Sequence, residues 1–245
     1  MMTKKAEKKE VPLELDADQM AQAGLHFGHR TSSIHPKMKP YIFGSRSGVH
    51  IMDLEKTKEK LQEVLDFIKG LVAEGKTILL VGTKIQVKDS VVSTAKDCGF
   101  PYVSERWLGG TFTNFGSFLK RIEYYKNLEK QKAAGEWEKY TKKEQANFGK
   151  ELKELEIKFG GVKDLQKLPD AIFVCDMKTD KLAVHEAKMK NIKVLGISDT
   201  NIDPTQADLF IPANDDAVSS VKYILEKIKE AVLETKSNIP NIKNG

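Results

Sequence analysis

Three short apolar runs constrain this chain's fold more than anything else in it: TILLVG at residues 77–82, AIFVCD at 171–176 and KVLGISD at 193–199. Each has strand length, is apolar at successive positions, and is followed by a helical pattern. A strand apolar on both faces must be covered on both faces, which sheets of βαβ units achieve. The expectation is an α/β fold, a doubly wound parallel sheet with helices on both faces. Residues 53–75 supply one helix, with Leu54, Leu61, Leu65, Ile68 and Leu71 near one face, Asp53 as N-cap and Gly75 as the stop. A last helix runs from about Asp216 to Thr235, carrying Val218, Val221, Ile224, Leu225, Ile228 and Val232. A chain of 245 residues with 40% hydrophobic content can bury one sizeable domain plus an appendage, or two small domains.

The appendage lies in the middle. From Thr111 to about Phe159 there is no strand signal. Phe115, Phe118, Ile122 and Tyr125 recur at a/d spacing, and Phe148, Leu152, Leu155 and Phe159 do so again. Gly135 and Thr141 offer a break between them, so the segment reads as two antiparallel helices, each reaching roughly 30 Å at 1.5 Å per residue. Two readings stay open: a plain packing pair, or an arm that meets a partner, which an exposed Trp137 near the tip would favour. The division is then an α/β domain over 13–110 and 160–235, an insertion over 111–159, and flexible tails at 1–12 and 236–245.

Charge is distributed unevenly. Although 35 of the 245 residues are Asp or Glu, none falls between Gly24 and His50, where His26, His29, His35 and His50 lie. Arg30, Lys37, Lys39 and Arg46 interleave there with Phe27, Tyr41 and Phe43 among Gly and Pro, so the cations sit on a loop or short strands. Such a segment suits a polyanionic partner. The overall net charge of +5 is mild, so that partner would see a patch. Cys98 and Cys175 lie far apart in or beside apolar runs and read as buried free thiols of a reducing compartment. No apolar run approaches the roughly eighteen residues that span a bilayer, and the lysine-rich start has no apolar stretch behind it, which together give a cytoplasmic expectation.

Enzyme readings find little support. After the first strand, VGTKIQVKDS has one glycine where a dinucleotide turn wants GxGxxG, and GxxxxGK[ST] is absent. Lys84 at that turn could instead meet a nucleic-acid backbone, with the turn's amides beside it. Asp176, Asp199 and Asp203 fall at or after strand ends, and His185 lies on the helix between, a set that could hold a divalent ion. Asp at a strand-to-helix turn more often caps the helix, the favoured reading here. The pair His26 and His29 in HFGH lacks companion cysteines and suits packing or phosphate contact better than metal. In ERWLGGTFTNF (105–115), Arg106 can fork onto phosphate and the glycines allow a close backbone approach, whereas Trp107 is core or a stacking platform. Arg106 is costly to bury unpaired and is therefore the better contact.

Read in order, GLHFGHR (24–30), HPKMKPYIFGSRSGVHIMDLEKT (35–57), VGTK (81–84), ERWLGGTFTNF, PDAIFVCD (169–176), GISDTNIDP (196–204) and IPANDDA (211–217) closely resemble the family of small-ribosomal-subunit protein two, from about Ala17 to Val232. The helical insertion resembles the bacterial or organellar branch. The resemblance implies a flavodoxin-like (Rossmann-like) core with a coiled-coil arm and a noncatalytic role on small-subunit ribosomal RNA. It also implies neighbouring small-subunit proteins as partners, recruitment of the large RNA-binding protein one, and no small-molecule substrate. By that likeness the RNA contacts are His29, Arg30, Lys37, Lys39, Arg46, Lys84 and Arg106. No cofactor is required, though a divalent metal reported in some relatives points to Asp176 and Asp199 as ligands. Gly116 and Ser117 stand where relatives carry a Lys-Thr pair, removing one cation near the RWLGG turn.

Overall fold

The structure is a computed structural model that describes residues 15–238. In chain order it runs through α1 (Ala17–Gln22), β1 (Phe27–Arg30), β2 (Ile42–Arg46), β3 (Val49–Met52), α2 (Leu54–Ala73), β4 (Ile78–Val81), α3 (Lys88–Cys98) and β5 (Tyr102–Val103). It continues with α4 (Phe115–Ala133), α5 (Lys142–Phe159), β6 (Ala171–Val174), α6 (Lys181–Met189), β7 (Lys193–Ser198), β8 (Leu209–Pro212) and α7 (Val218–Asn238). The main sheet is parallel in the order β5-β4-β6-β7-β8. Renumbered within the sheet this is 2-1-3-4-5, the flavodoxin-type order, with its switch point between β4 and β6.

Alternate strand residues feed two cores. Ile78, Leu80, Phe173, Leu195 and Ile211 pack against α2, α3 and α7, whose Leu61, Leu65, Ile68, Val91, Ile224 and Ile228 are fully buried. Leu79, Val81, Ile172, Val174 and Val194 meet α6 and the lower ends of α4 and α5 on the other side. Each such side chain removed from water contributes roughly 1.5–3 kcal/mol. The capping signals act as expected: Asp53 accepts from the Glu55 amide, and Gly75 follows α2 at φ +68°.

In the inserted segment α4 and α5 run antiparallel. Phe118 lies 5.5 Å from Phe159, Tyr124 donates to Glu151 at 3.0 Å, and Trp137 lies 5.6 Å from Phe148. Gly135 turns the chain at φ +72°, and Thr141 and Glu144 form a reciprocal capping box that starts α5. Trp137 is half-buried against Phe148, so the exposed tryptophan that would have favoured an arm is not there.

The structure sharpens the sequence reading of the acid-free segment, expected as a loop or short strands, and departs from it elsewhere. The strand β8 closes the sheet from a segment, LFIP, that ends in proline and is only half-buried at its first two residues. The acid-free segment forms its own antiparallel sheet, β1-β3-β2, with a one-residue bulge between Ile42 and Gly44. The helix α7 continues to Asn238, taking in residues 236–238 that the sequence assigned to a tail. The expected tail at 1–12 and the remainder of the other, 239–245, lie outside the described residues. No described helix is long and apolar enough to cross a membrane.

Candidate nucleic-acid interface

At the C-terminal end of the parallel sheet the acid-free segment docks onto the turns after β7 and β8. The His29 amide donates to Thr200 Oγ1 at 3.0 Å and the His35 amide to the Thr200 carbonyl at 2.8 Å. The two backbones approach so closely that a Cβ on Gly28 would lie 2.6 Å from Thr200 Cγ2, so only glycine fits. Carboxylates opposite then take up cations of the segment. His29 Nδ1 lies 3.1 Å from Asp199 Oδ2 and its Nε2 3.5 Å from Asp216. Lys37 Nζ reaches Asp203 at 3.1 Å and Thr205 Oγ1 at 2.8 Å. The Asp199 carboxylate beside it raises the His29 pKa, and the Thr205 hydroxyl, with Lys37 adding to it, holds Asp203 down to about 2.

Lys84 lies at the switch point, where nucleotide-binding relatives of this topology hold their ligand. Its ammonium sits 2.8 Å from Asp176, 2.6 Å from Asp216 and 3.5 Å from Asp215. Burial works against its charge, but the hydrogen bonds to Asp176 and Asp216 outweigh that and raise its pKa. Beside it Thr83 donates through its hydroxyl (2.8 Å) and amide (3.2 Å) to buried Asp180. The crevice is thus filled by the chain's own ion pairs. Asp215, 3% exposed, fares worst: burial, with the Asp176 and Asp199 charges nearby, pushes its pKa up to about 7.

The metal expectation does not match this arrangement. Asp176 Oδ1 accepts from the amides of Lys178 (2.8 Å) and Thr179 (2.9 Å), and its Oδ2 from Lys84 and the Thr179 hydroxyl (2.6 Å). Those amides belong to the turn that follows β6, so Asp176 braces the turn; the N-cap of α6 is Asp180, four residues on. Asp199 Oδ1 is taken by Thr200, and its Oδ2, without a well-aligned hydrogen bond, faces only His29. Among the described residues no group of three or more His, Cys, Asp or Glu is arranged to hold a metal ion. His185 is exposed on α6, and burial lowers the His26 pKa, as suits a packed ring.

The RWLGG turn is organised by a residue that the sequence reading passed over. Glu186 of α6, 3% exposed, accepts from the amides of Gly110 (2.8 Å), Phe112 (2.9 Å) and Thr113 (3.1 Å), the Thr113 hydroxyl (3.2 Å) and the Trp107 indole (3.3 Å). Gly110 at φ +91° lets the turn converge on that carboxylate. Burial opposes its charge, yet the three amides hold its pKa below the usual range. Trp107 is core, edge-on to Phe112 at 4.9 Å, which removes it as a stacking platform. The signal for Glu186 was present in the sequence: a carboxylate beside Ala183 and Ala187 on the apolar side of an otherwise lysine-rich helix.

The seven expected contact residues therefore divide. His29, Lys37 and Lys84 are tied to carboxylates within the chain. Arg30, Lys39, Arg46 and Arg106 are exposed and have no ion pair among the described residues.

A family model described as Ribosomal protein S2 matches residues 20–235, from within α1 nearly to the end of α7. Members of that family have a structural, non-enzymatic role in the small ribosomal subunit, consistent with a switch point occupied by internal ion pairs. The match covers both cores, the inserted helix pair and the docked acid-free sheet, and the chain belongs to the ribosomal protein S2 family.

Proposed function

We propose that the chain docks on small-subunit ribosomal RNA through the cations its own carboxylates leave free. The division just described carries this reading: Arg30, Lys39, Arg46 and Arg106 stand exposed and unpaired among the described residues, while His29, Lys37 and Lys84 brace the surface behind them. Exposed guanidinium and ammonium groups on short strands and turns suit phosphate oxygens, and such contacts fix position without reading sequence. In this reading Lys84 organises the turn rather than touching RNA. The α4–α5 pair is the coiled-coil arm that the family likeness implies, offering a side to neighbouring small-subunit proteins. Recruitment of ribosomal protein one and a place in cytoplasmic ribosomes come with the same likeness.

Co-sedimentation with small subunits across a salt gradient tests the docking. The chain is expected to travel with subunits at low salt and to be released as salt rises, because counterions re-occupy the phosphates. A triple variant, Arg30→Ala, Lys39→Ala and Arg46→Ala, should be released earlier while keeping the parent melting temperature. A chain that stays in the supernatant at low salt rules the reading out.

A further inference from the structure

A second charged surface lies on the outer side of α6, away from the acid-free segment's own residues. Between Lys178 and Lys193 the chain carries Lys178, Lys181, Lys188, Lys190 and Lys193 against two acids, Asp180 and Glu186. Both acids are 3% exposed and consumed inside, Asp180 by Thr83 and Glu186 by the RWLGG turn. All five lysines are exposed, so the outer face of α6 and its flanks presents cations without one exposed carboxylate of its own. Lys188 donates to the Thr205 carbonyl and Lys193 pairs with Asp208, whereas Lys178, Lys181 and Lys190 have no ion pair among the described residues.

This face also joins the RWLGG turn. Leu182 comes within 3.7 Å of where a side chain on Gly109 would begin, and Arg106 stands exposed on the same turn. Leu182 and Met189, 45% and 60% exposed, lie among the lysines and offer apolar contact to sugars between phosphates. Protein interfaces are depleted in Lys and enriched in aromatic residues, the reverse of this face, whereas polyphosphate surfaces favour clustered ammonium groups.

We propose that the outer face of α6, with Arg106 beside it, is a second phosphate-binding surface that takes the sugar–phosphate backbone of RNA separately from the acid-free segment. It rests on the RNA-docking reading above. Burying both acids of α6 accounts for how a short helix can anchor the RWLGG turn from one side and remain purely cationic on the other.

The test compares two variants of the full chain binding to protein-free small-subunit ribosomal RNA over 50–200 mM salt. One carries Lys178→Ala, Lys181→Ala and Lys190→Ala; the other is the Arg30, Lys39 and Arg46 variant. Three lost phosphate contacts should flatten the plot of log affinity against log salt by about 2.7 units, so that about 40-fold less affinity is lost across that range. These lysines are exposed and make no ion pair among the described residues, so the melting temperature should stay at the parent value. An unchanged slope for the α6 variant beside a flattened one for the segment variant overturns this surface and leaves the docking reading standing. Unchanged slopes for both overturn the two together. Cross-links from Lys178 or Lys181 in intact subunits that run to protein, with RNA affinity retained, assign the face to a protein partner and also overturn it.

Discussion

Two surface segments of this protein are held from beneath by buried carboxylates, and the two clasps differ in how completely the acid is satisfied. Under the RWLGG turn a single glutamate, Glu186, gathers five donors, three of them backbone amides, and its pKa is held below the ordinary carboxylate range against the pull of burial. Under the acid-free segment the buried Asp176, Asp199 and Asp215 and the exposed Asp216 share Lys84 and His29. Lys84 comes no nearer than 3.5 Å to the Asp215 carboxylate, whose pKa burial pushes up to about 7. A carboxylate filled by backbone amides keeps its charge throughout the physiological range. Where carboxylates outnumber their cations, the one left without a close partner, Asp215, exchanges its proton within it. The first clasp should be strong and indifferent to pH, the second weaker and pH-sensitive.

Removing Glu186 should break the contrast most severely. Glu186→Leu leaves three backbone amides and an indole N–H without an acceptor, at an expected cost of about 3–5 kcal/mol and a large fall in melting temperature. If that variant does not fold, Glu186→Gln retains one acceptor oxygen and is expected to cost about 2 kcal/mol, with Trp107 fluorescence reporting a loosened turn. A Gln variant as stable as the parent would mean that the charge on Glu186 contributes nothing.

The pH dependence separates the clasps next. The Asp215 pKa is raised in the fold, so the folded chain holds a proton there that the unfolded chain has released between about pH 4 and 7, and stability falls as pH rises through that window. The His29 pKa is raised too, so its contribution is full below the ordinary histidine value and is lost as pH climbs through the folded one. The lowered pKa values of Asp176 and Glu186 act elsewhere: their contributions hold above the ordinary carboxylate range and are lost only under stronger acid. Between pH 5 and 8 the parent should therefore lose on the order of 2 kcal/mol. Asp215→Asn should flatten that slope; denaturant melts giving the same slope for both chains would discard the assignment.

How much of this the sequence disclosed follows from what kind of signal each feature leaves. The sheet was legible because buried parallel strands are apolar at consecutive positions, as in ILLV and AIFV, and no other element looks like that at such length. Strand β8 was not, since LFIP ends in proline, is only half-buried at its first two residues and is fixed by pairing with β7. The cations of the acid-free segment were legible as a group, but not which of them are free. Lys37 meets Asp203 across 166 residues of chain, and Lys84 meets Asp216 across 132, pairings that only the closed sheet creates. Asp176 and Asp199 drew attention for their place after strands, and the capping alternative was already in view. Glu186 left one signal, its place beside Ala183 and Ala187 on the apolar side of α6, but its partners are mostly backbone amides, which leave no mark in sequence.

The smallest expected effect concerns the seam between the acid-free segment and the sheet. Thr200 Oγ1 accepts the His29 amide at 3.0 Å and lies 3.0 Å from Asp199 Oδ1, so one hydroxyl links the segment to the carboxylate cluster. Thr200→Val keeps the shape and removes the link, which should cost about 1 kcal/mol because water can reach the half-buried amide. Thr200→Ser keeps the hydroxyl and deletes the methyl that crowds Gly28, so it should cost less despite the lost packing. If the segment is held mainly by its ion pairs, the two variants should melt alike at pH 6, where His29 is charged. If the neutral hydroxyl carries the seam, Thr200→Val should be the weaker at pH 6 and pH 8 by the same margin. A margin independent of pH would place the pH sensitivity in the carboxylates rather than in the docking itself, which is the distinction the two clasps draw.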